Sequence, residues 1–268
     1  MQARHLLEID LRQALPNNEF QVYYQPVVSL HDYGVTGFEA LLRWHHPTQA
    51  MVPPADFIPI AEEIGAITPI GARVLRTACA DAALWTDGIK VAVNLSPVQF
   101  KSKTLVAGVV FALTAANLPA QRLEIEITET VMPQDTTTTL EMLDQLRNLG
   151  VRIAMDDFGT GYSSLSYLRR FPFNKIKIDQ CFIRDMSDGQ ESMAVLRAIT
   201  GLGANLGMVT TAEGVETLEQ LCRLRAEGCT EVQGYFFSKP KPVEEVSNML
   251  QSIARQMGSL YDALGQAA

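Results

Sequence analysis

Two adjacent carboxylates, Asp156 and Asp157, stand at the end of an apolar run and open the segment Phe158-Gly159-Thr160-Gly161-Tyr162-Ser163-Ser164. Carboxylates about 4 Å apart repel by about 4 kcal/mol at an effective dielectric of 20. Solvent, a proton or a cation relieves such a pair. Taken alone, the pair suits a solvated turn and a metal site equally, because Asp-Asp-x-Gly is also good turn chemistry. Other polar residues close other apolar runs: Glu39, Asn94, Glu126 and Lys177. Three carboxylates, an amide and a second Asp form a hard, all-oxygen ligand set suited to Mg²⁺ or Mn²⁺. Asp156 and Asp157 together would allow two metals about 3.5–4 Å apart, with Asp156 bridging them.

These residues can meet only if regular elements aim them at one place, and the parities agree that they do. Val151, Ile153 and Met155 share one face of a strand, with Arg152, Ala154 and Asp156 on the other. Glu39 and Arg43 share a face; Asn94 opposes Val91 and Val93. Glu124 and Glu126 oppose Ile125 and Ile127, and Lys175 and Lys177 oppose Ile176 and Ile178. If the apolar faces pack on outer helices, Glu39, Asn94, Glu126, Asp156 and Lys177 point inward near the C-terminal ends of their strands. Each has a structural alternative: Asn94 could cap the next helix, Glu126 and Glu129 could serve a helix start, and Lys177 could neutralise an acid. As a group they are harder to explain that way, since an inward charge must be paired or metal-bound.

Strand candidates fall at Phe20–Val28, Val35–Leu42, Lys90–Leu95, Leu123–Thr128, Val151–Met155, Lys175–Ile178, Met208–Ala212 and Glu231–Phe236. Helix candidates lie between most of them: Arg73–Trp85, Val98–Ala116, Thr137–Leu149, Glu191–Leu206 and Thr217–Ala226. Gly150, Gly207 and Gly228 follow three of these, where a helix-terminating glycine is expected. The alternation indicates an α/β fold with a mainly parallel sheet, and 268 residues suit a (β/α)₈ barrel, which typically needs about 250. Only Ser29 to Gly34 join the first two strands, too few for a crossover, so these should pair antiparallel. The expectation is a modified TIM (β/α)₈ barrel with one antiparallel strand, its active site at the C-terminal mouth. Residues 1–18, with Leu7, Leu11 and Leu15 at helical spacing, read as a leading helix, 19–250 as the barrel, and 251–268 as a helical tail.

Composition narrows the chemistry. With 47% hydrophobic and 19% charged residues the chain is globular. A net charge of -8 argues against binding nucleic-acid polymers or anionic lipid, and an anionic ligand would need intervening cations. Cys79, Cys181, Cys222 and Cys229 have no zinc-like spacing and read as free thiols. The histidines, His5, His31, His45 and His46, are confined to the first fifth, which disfavours His-ligand or Ser-His-Asp chemistry. No N-terminal h-region is visible, and the longest apolar run, about Leu105 to Ala116, is too short to span a bilayer. The expected location is the cytoplasm, free or as the cytoplasmic part of a membrane protein.

Glu39-Ala40-Leu41-Leu42-Arg43-Trp44 resembles the signature of the EAL-domain phosphodiesterases, which linearise cyclic di-GMP. Supporting matches run from Tyr24-Gln25-Pro26 through Asn94-Leu95-Ser96, Glu126-Ile127-Thr128-Glu129, Asp156–Ser164, Lys177-Ile178-Asp179, Glu213-Gly214-Val215-Glu216 and Gln233-Gly234 to Ser238-Lys239-Pro240. The resemblance implies two-metal hydrolysis of cyclic di-GMP to linear pGpG. Glu39, Asn94, Glu126 and Asp156 match ligands of a first metal, and Asp156, Asp157 and Glu213 the surroundings of a second. Lys177 corresponds to the lysine that orients the attacking water, with Gln233 and Glu216 as supporting groups near the water, second metal and substrate. Gln25 and Arg43 match substrate-holding positions, and Glu129 matches the glutamate that anchors the loop beginning at Asp157. Mg²⁺ or Mn²⁺, two per site, are the implied cofactors, and Ca²⁺ is expected to inhibit through its longer, looser coordination. A homodimer, and an upstream sensor or GGDEF segment if the chain is a fragment, are the implied partners. Two alternatives stand beside this reading: a catalytically silent cyclic di-GMP receptor with the same pocket, and an unrelated Mg²⁺ barrel acting on small carboxylates. The second leaves the Asp-Asp loop and Gln233 unexplained.

Overall fold

The structure is a computed structural model that describes residues 2–128, 136–159, 168, 170–171, 173–184, 186 and 190–265. After helix α1 (Gln2–Ala14), strands β1 (Phe20–Ser29) and β2 (Val35–His46) form a long antiparallel hairpin, and the short β3 (Ala50–Val52) folds back on β2. Helices α2 (Pro54–Glu63) and α3 (Ile67–Ala83) lead to β4 (Lys90–Asn94). There follow α4 (Leu105–Ala116), β5 (Leu123–Thr128), α5 (Thr136–Asn148), β6 (Arg152–Phe158), β7 (Lys175–Ile178), α6 (Gln180–Arg184) and α7 (Gln190–Leu206). The chain ends with β8 (Val209–Ala212), α8 (Leu218–Ala226), β9 (Glu231–Gln233), β10 (Lys241–Pro242) and α9 (Val246–Gly265).

Strands β2, β4, β5, β6, β7, β8 and β9 pair in parallel in that order, and β1 closes the ring by pairing antiparallel with both β9 and β2. This is the expected modified TIM barrel. The two smallest strands lie outside the ring, β3 on β2 and β10 on β1. Expected and observed strands coincide closely because alternation decides them: Val91, Val93, Ile125, Ile127, Ile153, Ile176, Ile178 and Val232 are buried outward against the helices. Gly150, Gly207 and Gly228 have φ of +94°, +67° and +78°, the left-handed conformation that ends a helix at low cost.

The inner lining departs from the branched aliphatic filling usual in such barrels. Small residues, Ala92, Ala154 and Thr211, stand in register beside Glu39 and Glu124, Glu126 and Lys175, and Lys177 and Glu231 respectively. They leave room for long charged side chains to cross the interior.

Several elements differ from the sequence expectation. The single helix expected over 98–116 is two pieces, a 3₁₀ turn at Pro97–Lys101 and α4. Ser102, extended at ψ 120°, breaks them apart, and its hydroxyl takes the Thr104 N–H in a local turn. Helix α2 was not foreseen: Pro54 sits in its first turn and Pro59 inside it, so breaker residues masked an amphipathic segment. Helix α3 begins at Ile67 instead of Arg73. A single helix, α9, runs through residue 250. Leu11 and Ala14 of α1 are buried, and Asp10 meets His46 of β2 at 3.1 Å.

Candidate metal centre and ligand cleft

Lys177, on β7, is 2% exposed and sits among four carboxylates. Its Nζ lies 2.6 Å from Glu213 Oε1, 2.8 Å from Glu126 Oε2, 3.1 Å from Asp156 Oδ1 and 3.5 Å from Glu39 Oε2. The acids come from β2, β5, β6 and the residue after β8, spread over the sequence from 39 to 213. Asn94 Nδ2 donates to Glu39 Oε1 at 2.6 Å, and Gln233 Nε2 donates to Glu39 Oε2 at 2.6 Å and to Gln25 Oε1 at 3.1 Å. Gln25 Nε2 in turn donates to the Ser238 carbonyl at 3.2 Å. Sequence-nominated residues from seven barrel strands, with Glu213 just past an eighth, thus form one connected network.

Asp157 joins this cup through a backbone irregularity. Successive strand residues face opposite ways, so a regular β6 would turn Asp157 away from Asp156. The β6–β7 register shifts between Met155 and Phe158, and Asp157 has φ of +54°. Asp tolerates that left-handed conformation better than most residues. As a result oxygens of Asp156, Asp157 and Glu213 lie within 4.8 Å of one another. Local strain of this kind gathers where geometry is functional.

One ammonium cannot neutralise five acids, and the raised proton affinities of Glu126, Glu213 and Asp157 say so. Burial, then Glu39, pushes Glu126 well above the usual carboxylate range despite Lys177. Burial also lifts Glu213 to about 8, against the pull of Lys177, and burial plus Asp156 lifts Asp157 to about 6. Glu39 differs: burial opposes its ionisation, but Lys177 and the amides of Gln233 and Asn94 outweigh it and hold the carboxyl low. Burial disfavours the Lys177 ammonium, yet Asp156, Glu126, Glu213 and Glu39 hold its pKa well above the ordinary lysine value. Excess negative charge in a hard, all-oxygen set fits divalent cations. Gln233 Oε1 points the same way, being buried without a hydrogen-bond partner among the described residues. Glu39, Asn94, Glu126, Asp156, Asp157 and Glu213 are the residues that could hold such ions.

Two cavities open on the cup. One, of about 260 Å³, is lined by Gln25, Leu41, Gln180, Arg184, Glu216 and Tyr235 together with the acids. The other, about 460 Å³ and more apolar, runs from Asn94, Asp156 and Asp157 past Arg43 to Ile58, Ile67 and Ile70. Arg43 lies over the Tyr23 ring at 5.7 Å. Glu216 is exposed at the rim and contributes its backbone N–H to Gln220. Glu129, the expected loop anchor, and the loop from Thr160 onward lie outside the described residues. Sequence reasoning missed Gln180, Arg184 and Tyr235. Their positions were a usable signal: the first two lie on the helix that follows Lys177-Ile178-Asp179, and Tyr235 directly follows Gln233-Gly234.

Below the cup lies a second charged layer. Lys175 Nζ lies 2.6 Å from Glu124 Oε1 and 2.9 Å from Glu231 Oε2, and Thr211 Oγ1 donates to Glu231 at 3.1 Å. All four are buried.

Comparison with known proteins agrees with this arrangement. Residues 8–240 match the family model described as EAL domain. The chain is 50% identical over 91% of its length to an uncharacterized signaling protein of Caulobacter vibrioides, covering 30% of that protein. It is 41% identical over 97% of its length to the cyclic di-GMP phosphodiesterase NbdA of Pseudomonas aeruginosa, covering 34% of it. A solved structure described as PaMucR phosphodiesterase in complex with c-di-GMP superposes with a TM-score of 0.86 at 41% identity, covering 90% of this chain and 99% of that one. The chain spans about a third of the length of the curated relatives it matches. With its barrel, its signature residues and most of its length matched, the chain belongs to the EAL domain family.

Proposed function

We propose that this chain hydrolyses cyclic di-GMP to linear pGpG, with two Mg²⁺ or Mn²⁺ ions held by Glu39, Asn94, Glu126, Asp156, Asp157 and Glu213. The observation that carries the reading is the convergence of Glu39, Glu126, Asp156 and Glu213 on Lys177 at one end of the barrel. When bound, the ions supply charge neutralisation of the phosphodiester and a lowered pKa for water. The side chains account for the rest. Lys177, held as an ammonium by the surrounding acids, can donate to a water or a phosphoryl oxygen. Gln233, fixed by Glu39 and Gln25, presents its free carbonyl oxygen to a donor such as a water. Arg43 offers a guanidinium suited to a phosphodiester oxygen. Two cavities flanking one acidic cup suit a ligand with two bases joined by phosphodiesters.

Such a domain is further expected to work as a homodimer and under the control of sensor or GGDEF segments. The long unmatched remainder of the relatives supports the second expectation. Incubation with cyclic di-GMP, with and without Mg²⁺ or Mn²⁺, followed by chromatography of the nucleotides, tests the activity. Metal-dependent pGpG is the expected result. Binding of cyclic di-GMP without pGpG under either metal would overturn hydrolysis and leave a receptor.

A further inference from the structure

The short helix α6 stands between the two chain segments that carry Asp157 and Glu213. On one side the Phe182 ring rests against Gly159: a Cβ there would come within 2.9 Å of the ring, with Ile199 of α7 at 3.8 Å. On the other side Gln180 lies against Gly214, where a Cβ would come within 2.6 Å of the Gln180 Cβ. The helix itself is firmly seated. Asp179 Oδ1 accepts the Cys181 N–H at 2.8 Å, Ile183 is fully buried, and the Ile183 carbonyl accepts from Gln220 Nε2 at 3.3 Å. Gln220 Oε1 also accepts the Glu216 N–H at 2.8 Å, so α6 and the segment after β8 share one anchor.

Asp157 needs such support, because its φ of +54° is costly and persists only where neighbours over-determine it. On its N-terminal side, the Asp157 N–H donates to Asp156 Oδ1 at 3.0 Å. On its C-terminal side, Phe158 pairs with Ile178 and the Phe182 ring covers Gly159. We propose, on the two-ion reading above, that Phe182 is a positioning residue for the ion shared by Asp157 and Glu213. It touches neither carboxylate; it acts through Gly159, holding the Asp157 backbone in the turn that alternation would otherwise undo. Glu39, Asn94 and Glu126 stand on β2, β4 and β5, and α6 follows β7, so the ion they hold should not depend on this ring.

Binding of Mn²⁺ alone, followed by calorimetry and electron paramagnetic resonance without nucleotide, tests the proposal with no need of turnover. Wild type should bind two ions per chain and show the exchange-coupled signal of a bridged pair. Phe182→Ala should weaken the second ion about ten- to hundredfold and lose the coupled signal at Mn²⁺ concentrations that fill wild type. Its first ion should stay within about threefold of wild type. Phe182→Leu, which keeps much of the apolar bulk, should lose only about three- to fivefold on the second ion and recover the coupled signal as Mn²⁺ is raised. Leu113→Ala, a truncation of a buried residue on α4, should leave both ions unchanged. Should Phe182→Ala not fold, Phe182→Leu against wild type decides by the same comparison. An unchanged second ion overturns the proposal, as does equal weakening of both ions or a matching loss in Leu113→Ala; the two-ion reading stands in each case. A single ion on wild type faults the two-ion reading itself, and the proposal falls with it.

Discussion

At the scale of single residues, the cup is defined by an imbalance: one buried ammonium faces Glu39, Glu126, Asp156 and Glu213, with Asp157 beside them. Glu39 is held as an anion between two amides and Lys177. Glu39→Ala should therefore lower turnover by at least a hundredfold while leaving the far-ultraviolet circular dichroism unchanged; an active variant would refute the ligand assignment. The pH behaviour of the metal-free protein follows from the raised acids. Glu213 at about 8 and Asp157 at about 6 hold protons in the folded state that the unfolded chain releases near 4–4.5. Between those limits the folded state binds more protons, so stability falls as pH rises. In chelator, Tm should drop from pH 5 to pH 8. Added Mg²⁺ or Mn²⁺ should raise Tm, and by more at pH 8 than at pH 6, with about 2.7 kcal/mol expected at a hundred times Kd. A metal increment independent of pH would contradict the shared site. Much of this site was legible from parity: Glu39, Asn94, Glu126, Asp156 and Lys177 needed only strand alternation. Asp157 was not, because alternation turns it outward and the β6 irregularity turns it back. Glu213 lies past the end of β8, where periodicity says nothing, and only its motif nominated it.

At the scale of elements, the barrel interior is two charged layers built on the same strands. Glu124 and Glu126 rise from β5 and Lys175 and Lys177 from β7, while Glu231 and Gln233 rise from β9. In the lower layer Lys175 ties β5 to β9, and β9 is only Glu231–Gln233. Its anchor therefore helps hold Gln233 at Glu39. Burial disfavours the Lys175 ammonium, but Glu124 and Glu231 outweigh it and raise its pKa. Lys175→Met would leave buried Glu231 to the Thr211 hydroxyl and buried Glu124 to Arg152 at 3.4 Å, and should cost about 3–5 kcal/mol, measured by urea denaturation. A loss below about 1 kcal/mol would show that the layer is spanned by solvent. Gly234 adds a steric constraint beside the same strand, since a Cβ there would collide with the Val215 backbone. The sequence exposed the paired lysines and paired glutamates by alternation. Glu231 escaped notice because its contacts with Lys175 and Thr211 join residues 56 and 20 positions apart, which no local pattern reports. Likewise α2 escaped because its two prolines signal a turn locally, whereas burial of Phe57, Ile60 and Ala61 decides for helix.

At the scale of the whole molecule, an acidic chain of net charge -8 presents one end of a closed barrel with a dense carboxylate cup and two flanking cavities. An anionic ligand approaches such a surface only with cations in place. Among the described residues, no helix is long and apolar enough to cross a membrane. Activity should therefore depend on the kind of divalent ion. Ca²⁺, with longer bonds and looser geometry, should compete for the cup and suppress Mg²⁺-supported turnover at least tenfold when in excess; unchanged rates would count against a compact all-oxygen site. Hydrolysis itself is tested most directly by running the Mg²⁺- or Mn²⁺-supported reaction on cyclic di-GMP in ¹⁸O-enriched water and weighing the product. The expected product is pGpG carrying a single ¹⁸O on its terminal phosphate. No linear product, or linear product without the label, would contradict it.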